Sequence, residues 1–277
     1  MFKKVTVNTI RKIKENNEKF SVLTAYDYST AKCLDEAGID IILIGDSLAM
    51  VALGYNSTNE VGVEEMSIFT KAVARGVKRA MVITDMPFMS YNISLESALI
   101  NCCNMVKYGA NGVKIEGYSD YILQVIKRCV DSGIPVMGHL GFTPQFKNTI
   151  GGYNIQGKSV EATQEILNQA KKLEEAGVFS IVLEMMPQES AKYISENISV
   201  PVISCGAGKY CTGQVMVSDD LLGKYSDFKP KFARKYCDMH EIIVNAVKQF
   251  DYDVKNGNYP NDDEIYSLPE EEAKNFE

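Results

Sequence analysis

The chain has 277 residues, 45% of them hydrophobic and 23% charged, an ordinary globular composition that excludes a disordered or fibrous chain and allows a large buried interior. Its formal charge is −7, from 29 Lys and Arg against 36 Asp and Glu, and residues 258–277 hold seven carboxylates against the single Lys274. The body is therefore near neutral and has no basic stripe, so nucleic acid and anionic membrane surfaces are excluded in favour of a small-molecule partner.

The first 20 residues are rich in Lys and Asn and lack the apolar core of a signal peptide; they predict a helical N-terminal segment on a cytoplasmic protein. Strand-like runs follow at 21–25, 39–44, 80–84, 112–115, 134–137, 180–183, 200–204 and, least marked, 214–217. They are continuously apolar rather than alternating, as strands buried on both faces of a parallel sheet require. Between them, amphipathic stretches at 28–37, 94–108 and 160–176 run into Gly38, Gly109 and Gly177, the residue that most readily caps a helix C-terminus. In the last of these, Leu167, Ala170, Leu173 and Ala176 form a stripe at helical spacing. Two long connections, 48–65 and 141–158, begin at strand C-termini and predict loops that cover a substrate. A segment at 234–254 predicts a helix docked outside the core, followed by the acidic tail. No run approaches the roughly 18 apolar residues of a membrane helix. The seven cysteines include no Cys-x-x-Cys pair, which indicates neither a disulfide framework nor a zinc finger.

Repeated strand–helix–strand units with right-handed crossovers leave two architectures, a closed barrel and an open doubly wound sheet. Thr24-Ala25-Tyr26-Asp27 after the first strand contains no glycine, so the dinucleotide fingerprint that would favour the open sheet is missing. The expected fold class is α/β, a single (β/α)8 barrel over residues 1–259 with helical extensions at both ends, and an acidic tail over 260–277.

Ionisable residues mark the expected strand ends: Asp27, Asp46, Asp85, Glu116, His139 and Glu184 all fall at or near them. In a barrel those ends converge on one mouth, so residues far apart in sequence would form a single acidic pocket. Carboxylates packed that closely need a cation or a shared proton. Oxygen donors favour a hard divalent ion such as magnesium, and two histidines in the whole chain disfavour zinc. Blander readings stand beside these: helix-capping or turn aspartates for Asp46 and Asp85, a structural ion pair for Lys114 with Glu116, and a structural role for His139. The cysteines and Met185-Met186 read as core or pocket wall.

At these residues the sequence resembles the ketopantoate hydroxymethyltransferase family, from about Val5 to Tyr259. The resemblance runs motif by motif through Thr24-Ala25-Tyr26-Asp27, Gly45-Asp46-Ser47-Leu48, Asn56-Ser57-Thr58, Asp85-Met86-Pro87-Phe88-Met89, Val113-Lys114-Ile115-Glu116-Gly117 and the stretch from Gly138 to Gln145. It continues through Gly151-Gly152-Tyr153, Gln156-Gly157, Leu183-Glu184, Gly206-Ala207-Gly208 and Pro230-Lys231-Phe232. The chain departs from the usual pattern at Ala49, Tyr55-Asn56, Asn59-Glu60 and Ser204-Cys205, none of which is an implied metal ligand or base.

The resemblance implies a TIM barrel of the phosphoenolpyruvate-binding type, assembled as a homo-oligomer, a ring-like decamer. It implies transfer of a hydroxymethyl group from 5,10-methylenetetrahydrofolate to 3-methyl-2-oxobutanoate through a Mg2+-stabilised enolate, giving 2-dehydropantoate for pantothenate biosynthesis. Asp46 and Asp85 would hold the metal, and Glu116 would ligate it directly or through water. Ser47 and Lys114, with the two aspartates, would bind the keto acid; Glu184 would accept the proton, and His139 is a candidate for the pocket. Two competing readings stay open. One is a magnesium-dependent 2-oxo-acid lyase or mutase of the isocitrate lyase and phosphoenolpyruvate mutase group, whose usual Lys-Cys-Gly-His loop is missing here. The other is a catalytically silent ligand-binding barrel, which would be expected to have lost part of the acidic mouth.

Overall fold

The computed structural model describes residues 3–225 and 230–276. Eight parallel strands close a barrel in chain order: β1 (Phe20–Thr24), β2 (Ile41–Ile44), β3 (Met81–Asp85), β4 (Gly112–Glu116), β5 (Val136–Gly141), β6 (Ser180–Glu184), β7 (Val202–Cys205) and β8 (Gly213–Met216), which pairs back to β1. Each lies within a few residues of an expected run. The largest difference is at β5, expected to end at Met137 but continuing through Gly138, His139 and Leu140 because its ladder with β6 extends to Gly141 opposite Glu184. Backbone pairing sets that end, and hydrophobicity does not reveal it.

The helices are α1 (Val7–Glu15), α2 (Tyr28–Glu36), α3 (Leu48–Val51), α4 (Val63–Gly76), α5 (Leu95–Lys107), α6 (Asp120–Asp131), α7 (Lys147–Ile150), α8 (Val160–Glu175), α9 (Gln188–Glu196), α10 (Ser218–Leu222), α11 (Met239–Lys255) and α12 (Glu270–Ala273). No helix among the described residues is long and apolar enough to cross a membrane. In α8 the expected stripe buries Leu167, Ala170 and Leu173.

Strand side chains alternate between two faces, and the core divides accordingly. Phe20, Ile41, Met81, Met137, Val182 and Ile203 pack inside the barrel, while Ile42, Val82, Val113, Ile115, Ile181 and Leu183 face the helices. The inward parity of Met81 and Ile83 continues to Asp85, that of Met137 to His139, and that of Val182 to Glu184.

The N-terminal segment closes the opposite end of the barrel. Thr6 caps α1 by accepting from the Thr9 amide, and Val5 and Ile10 join the inner cluster, Ile10 with no exposed surface. Lys14 Nζ donates to the carbonyls of Ser195, Ile198 and Val200 at 3.1, 2.8 and 2.8 Å, joining α1 to the entry of β7.

The expected helix near the C-terminus forms as α11, but it does not dock as expected: none of its side chains is buried. Its apolar residues Ile243, Val247, Phe250 and Val254 recur at i, i+4, i+7 and i+11 and stay 43–60% exposed, because no surface among the described residues is presented to them. The acidic tail is likewise exposed throughout its described residues. Conversely, an outer groove beside β8 and β1, lined by Ser21, Leu23, Ile39, Gln214, Met216 and Leu221, is covered by no long helix.

Truncating the plug tests this packing. Ile10→Ala is expected to lower unfolding free energy by about 2–5 kcal/mol, read from urea denaturation; an unchanged midpoint would show that α1 is not part of the barrel's core.

Candidate active site at the barrel mouth

Asp46 follows β2 in the Gly45-Asp46-Ser47 turn, Asp85 and Glu116 are the last residues of β3 and β4, and Glu184 is the last of β6. Lys114 and His139 lie one inward position deeper on β4 and near the end of β5. All line one cleft of about 1070 Å3, part of it open to solvent, together with Ser47. Asp46, Asp85, Lys114, Glu116 and His139 are each no more than 5% exposed, while the Glu184 side chain keeps 16%. The two long loops reach the same cleft, through Met50, Val51 and Thr58 from one and Pro144 and Tyr153 from the other.

Asp27 is not part of this group. It caps α2, its carboxylate accepting from the Thr30 amide at 2.8 Å and hydroxyl at 2.7 Å. The capping role raised for Asp46 and Asp85 is thus taken by Asp27 instead. It does not fall to Asp46 or Asp85: Asp46 Oδ2 accepts from Gln145 Nε2 at 2.9 Å, and Asp85 Oδ2 accepts from the Asp46 amide at 3.0 Å.

Lys114 provides the central positive charge. Its Nζ lies 3.1 Å from Asp85 Oδ2 and 3.6 Å from Glu116 Oε1. Burial opposes its charge, but Asp85, Glu116 and Asp46 outweigh burial and hold the ammonium protonated, with its pKa raised. The His139 ring bridges two carboxylates, Nδ1 at 3.3 Å from Glu116 Oε1 and Nε2 at 3.3 Å from Glu184 Oε2. Burial and Lys114 lower the imidazole pKa; Glu116 and Glu184 outweigh them and raise it to about 9. Lys114 Nζ is also 3.3 Å from Nδ1, but an imidazolium cannot accept from it, so Lys114 directs its protons to the carboxylates. Glu116 is buried, which favours its acid form, yet His139 and Lys114 prevail and lower its pKa. Asp46 goes the other way: burial, then Asp85 and Glu116, push its carboxyl well up.

Lys114 and His139 bring two positive charges to four carboxyl groups, those of Asp46, Asp85, Glu116 and Glu184, so the two cations cannot balance all four. Glu116 Oε1 has both cations close by, whereas Asp85 Oδ1 is buried without a directed hydrogen bond among the described residues, which is costly unless a cation or donor reaches it. Among the described residues no three His, Cys, Asp or Glu side chains form a ready-made metal cage. The arrangement instead offers carboxylate oxygens from Asp46 and Asp85, which suits a hard cation that completes its shell with water and ligand oxygens.

Two residues that were not singled out for chemistry organise this cluster. Gln145, 3% exposed, donates through its side chain to Asp46 and to the Met86 carbonyl at 2.9 Å, and through its amide to Glu116 Oε2 at 3.1 Å. Its side-chain oxygen accepts from Tyr91 at 2.8 Å, and its carbonyl accepts from Asn59 Nδ2 at 3.2 Å, which joins the two long loops. Tyr26 OH lies 2.9 Å from Ser47 Oγ and fixes that hydroxyl at the cleft edge. Both lie inside matched motifs, Gln145 at the end of Gly138–Gln145 and Tyr26 in Thr24-Ala25-Tyr26-Asp27; that was the available signal, but neither carries a charge.

The backbone around Glu184 is equally constrained. Gly141 at φ +84 lies against it, and a side chain there would collide with the Glu184 carbonyl. Met185 takes φ 49, uncommon for a non-glycine residue, and is held by its amide on the Cys205 carbonyl and its carbonyl on the Gln156 amide, both 2.9 Å.

Comparisons with known proteins show the family. The family model described as ketopantoate hydroxymethyltransferase matches residues 4–262. A 3-methyl-2-oxobutanoate hydroxymethyltransferase of Thermoanaerobacter sp. (strain X514) is 47% identical over 99% of this chain and 100% of its own length. The proteins of the same name from Thermosipho melanesiensis and Ignicoccus hospitalis are 51% and 50% identical, covering 89% and 93% of this chain and 93% and 97% of their own. Among solved structures, phosphonopyruvate hydrolase in complex with oxalate and Mg++ superposes with a TM-score of 0.60 at 13% identity, over 95% of this chain and 92% of that one. The 2,3-dimethylmalate lyase of the PEP mutase/isocitrate lyase superfamily gives 0.58 at 13%, over 94% and 91%. At that identity the likeness shows the barrel fold alone and lends no weight to a lyase or mutase reading. From the family match and the near-full-length relatives, this chain belongs to the ketopantoate hydroxymethyltransferase family.

Proposed function

We propose that this enzyme transfers the one-carbon unit of 5,10-methylenetetrahydrofolate to 3-methyl-2-oxobutanoate, with one water consumed, giving 2-dehydropantoate and tetrahydrofolate. The observation that carries the reading is the single buried cluster in which Asp46, Asp85, Lys114, Glu116, His139 and Glu184 line one cleft. A catalytically silent barrel would have no use for so costly an arrangement.

Magnesium fits this donor set on three counts: the donors are oxygens, the mouth carries excess negative charge, and Asp85 Oδ1 has no protein partner. Asp46 and Asp85 would hold it, with Glu116 reached directly or through water. Bound there, the ion would supply Lewis acidity toward the oxygens of a 2-oxo acid. The protein groups account for the rest. Ser47, oriented by Tyr26, donates to the keto acid. Lys114 places positive charge beside the oxygen on which enolate charge develops. Glu184 accepts the C3 proton, and His139 behind it stabilises the carboxylate and orients it. The carbanionic C3 forms the new C–C bond to the one-carbon unit, both C–N bonds that hold that carbon on the folate are broken, and the consumed water supplies the hydroxyl; its other proton and the one taken by Glu184 go to the two folate nitrogens.

We also propose that the chain self-associates. The uncovered stripe of α11 and the uncovered groove beside β8 and β1 are each what the other would bury if supplied by a second copy.

Three outcomes are expected. Glu184→Gln should retain binding of 3-methyl-2-oxobutanoate but exchange its C3 proton about 100-fold or more slowly, followed by NMR in deuterated water with magnesium; exchange at the native rate would remove Glu184 as the base. In calorimetric titrations, Asp85→Ala should lose all magnesium dependence of keto-acid affinity, and a variant that kept it would exclude Asp85 as a ligand. Sedimentation velocity should show a smaller species for the doubly substituted Val247→Asp, Phe250→Asp protein; an unaltered oligomer would place the contact elsewhere.

A further inference from the structure

Beside Glu184 the same cleft has an apolar chamber wall that the keto-acid chemistry leaves unused. It comprises Met216, Val217, Tyr225, Pro230 and Phe232, with Cys205 at the junction, paired in register with Glu184. Phe232 packs against Gly206, where a side chain would come within 2.5 Å of the ring. Asp220, from α10, is the one charged lining residue outside the Asp46 to Glu184 cluster among the described residues. It is half-buried, and no hydrogen bond or ion pair reaches its carboxylate from the described residues, whereas the adjacent Asp219 is held by Ser218 at 3.3 Å and Lys224 at 3.5 Å. Burial, with Asp219 nearby, pushes the Asp220 carboxyl up to about 6, so it is mostly ionised at neutral pH and meets no donor among the described residues to repay its desolvation.

We propose that Asp220 and this chamber form the pterin subsite of the folate co-substrate, the carboxylate accepting from N3–H and the 2-amino group of the 2-amino-4-oxopyrimidine edge. The proposal rests on the one-carbon transfer reading above and deepens it. Two adjacent donors on a flat heterocycle match one carboxylate in bidentate fashion, and apolar and aromatic walls suit the ring faces. The position is right for the chemistry: a ligand in the chamber borders Glu184 and Cys205, beside which the attacking carbon is generated. Lys114 and His139, the basic residues of the lining among the described residues, are both engaged by carboxylates, so among these a phosphate-bearing donor would find no free counter-charge.

The test is steady-state kinetics of Asp220→Asn and Asp220→Leu, each substrate varied in turn, with thermal unfolding to establish that the variants are folded. The near-isosteric Asp220→Asn guards against a packing effect. The KM for 5,10-methylenetetrahydrofolate should rise about tenfold or more while that for 3-methyl-2-oxobutanoate changes by less than about twofold. Direct titration with tetrahydrofolate should show the same loss. An unchanged folate KM, or equal rises for both substrates, overturns the subsite. If the wild-type enzyme exchanges the keto-acid proton and transfers the methylene yet Asp220→Asn behaves identically, only the subsite fails; a wild-type enzyme that does neither overturns the functional reading and the subsite with it.

Discussion

Four carboxylates converge on the mouth of a barrel whose interior is otherwise apolar, and the site depends on how their charge is compensated. In a low-dielectric cleft, like charges raise one another's pKa and each buried anion carries a large desolvation cost. Lys114, 3.1 Å from Asp85 and 3.6 Å from Glu116, and His139, between Glu116 and Glu184, offset only part of it. The remainder explains why neighbours titrate in opposite directions: Glu116, beside both cations, is held low, and Asp46, braced by a neutral amide, is pushed up. That uncompensated charge is the physical ground of the proposed magnesium site.

Strand parity delivers these groups. Because side chains alternate, Asp85, Lys114, Glu116, His139 and Glu184 share the inward face with Met81, Met137 and Val182. The ladders then set their relative heights: Asp85 pairs with Lys114, and Glu116 with His139. A one-residue slip of either strand would turn the ionisable groups outward, against apolar helices. The inner core and the plug formed by α1 therefore serve the site indirectly, by holding the register that aims it.

The cleft has two kinds of wall. On the β2 to β6 side it is charged and tightly bonded, with Gln145 linking Asp46, Glu116, the Met86 carbonyl and Tyr91. On the β7 to β8 side it is apolar, with one carboxylate, that of Asp220, which has no partner among the described residues. That division matches a reaction that joins a small anionic keto acid to a large heterocyclic donor. The β8 side is also where the outer wall lacks a long helix, while α11 extends with its apolar stripe uncovered.

Much of this was legible in the sequence, for reasons that are local. Continuous apolar runs and helix-ending glycines gave away eight strands and their connectors, since burial on both faces and left-handed caps leave marks on composition. The acidic residues at strand ends implied one mouth, because a closed parallel barrel brings all those ends together, and the family motifs brought the chemistry into view as a resemblance. Tertiary structure alone decided the rest. Asp27 has the same sequence signature as Asp46, yet one caps a helix and the other faces the cleft, which depends on how the chain turns after each strand. Gln145 bears no charge, so its role becomes visible only when the loop after β5 folds across the mouth. Whether α11 docks depends on which surface meets it, and amphipathic spacing determines that a helix needs a partner without determining where the partner lies.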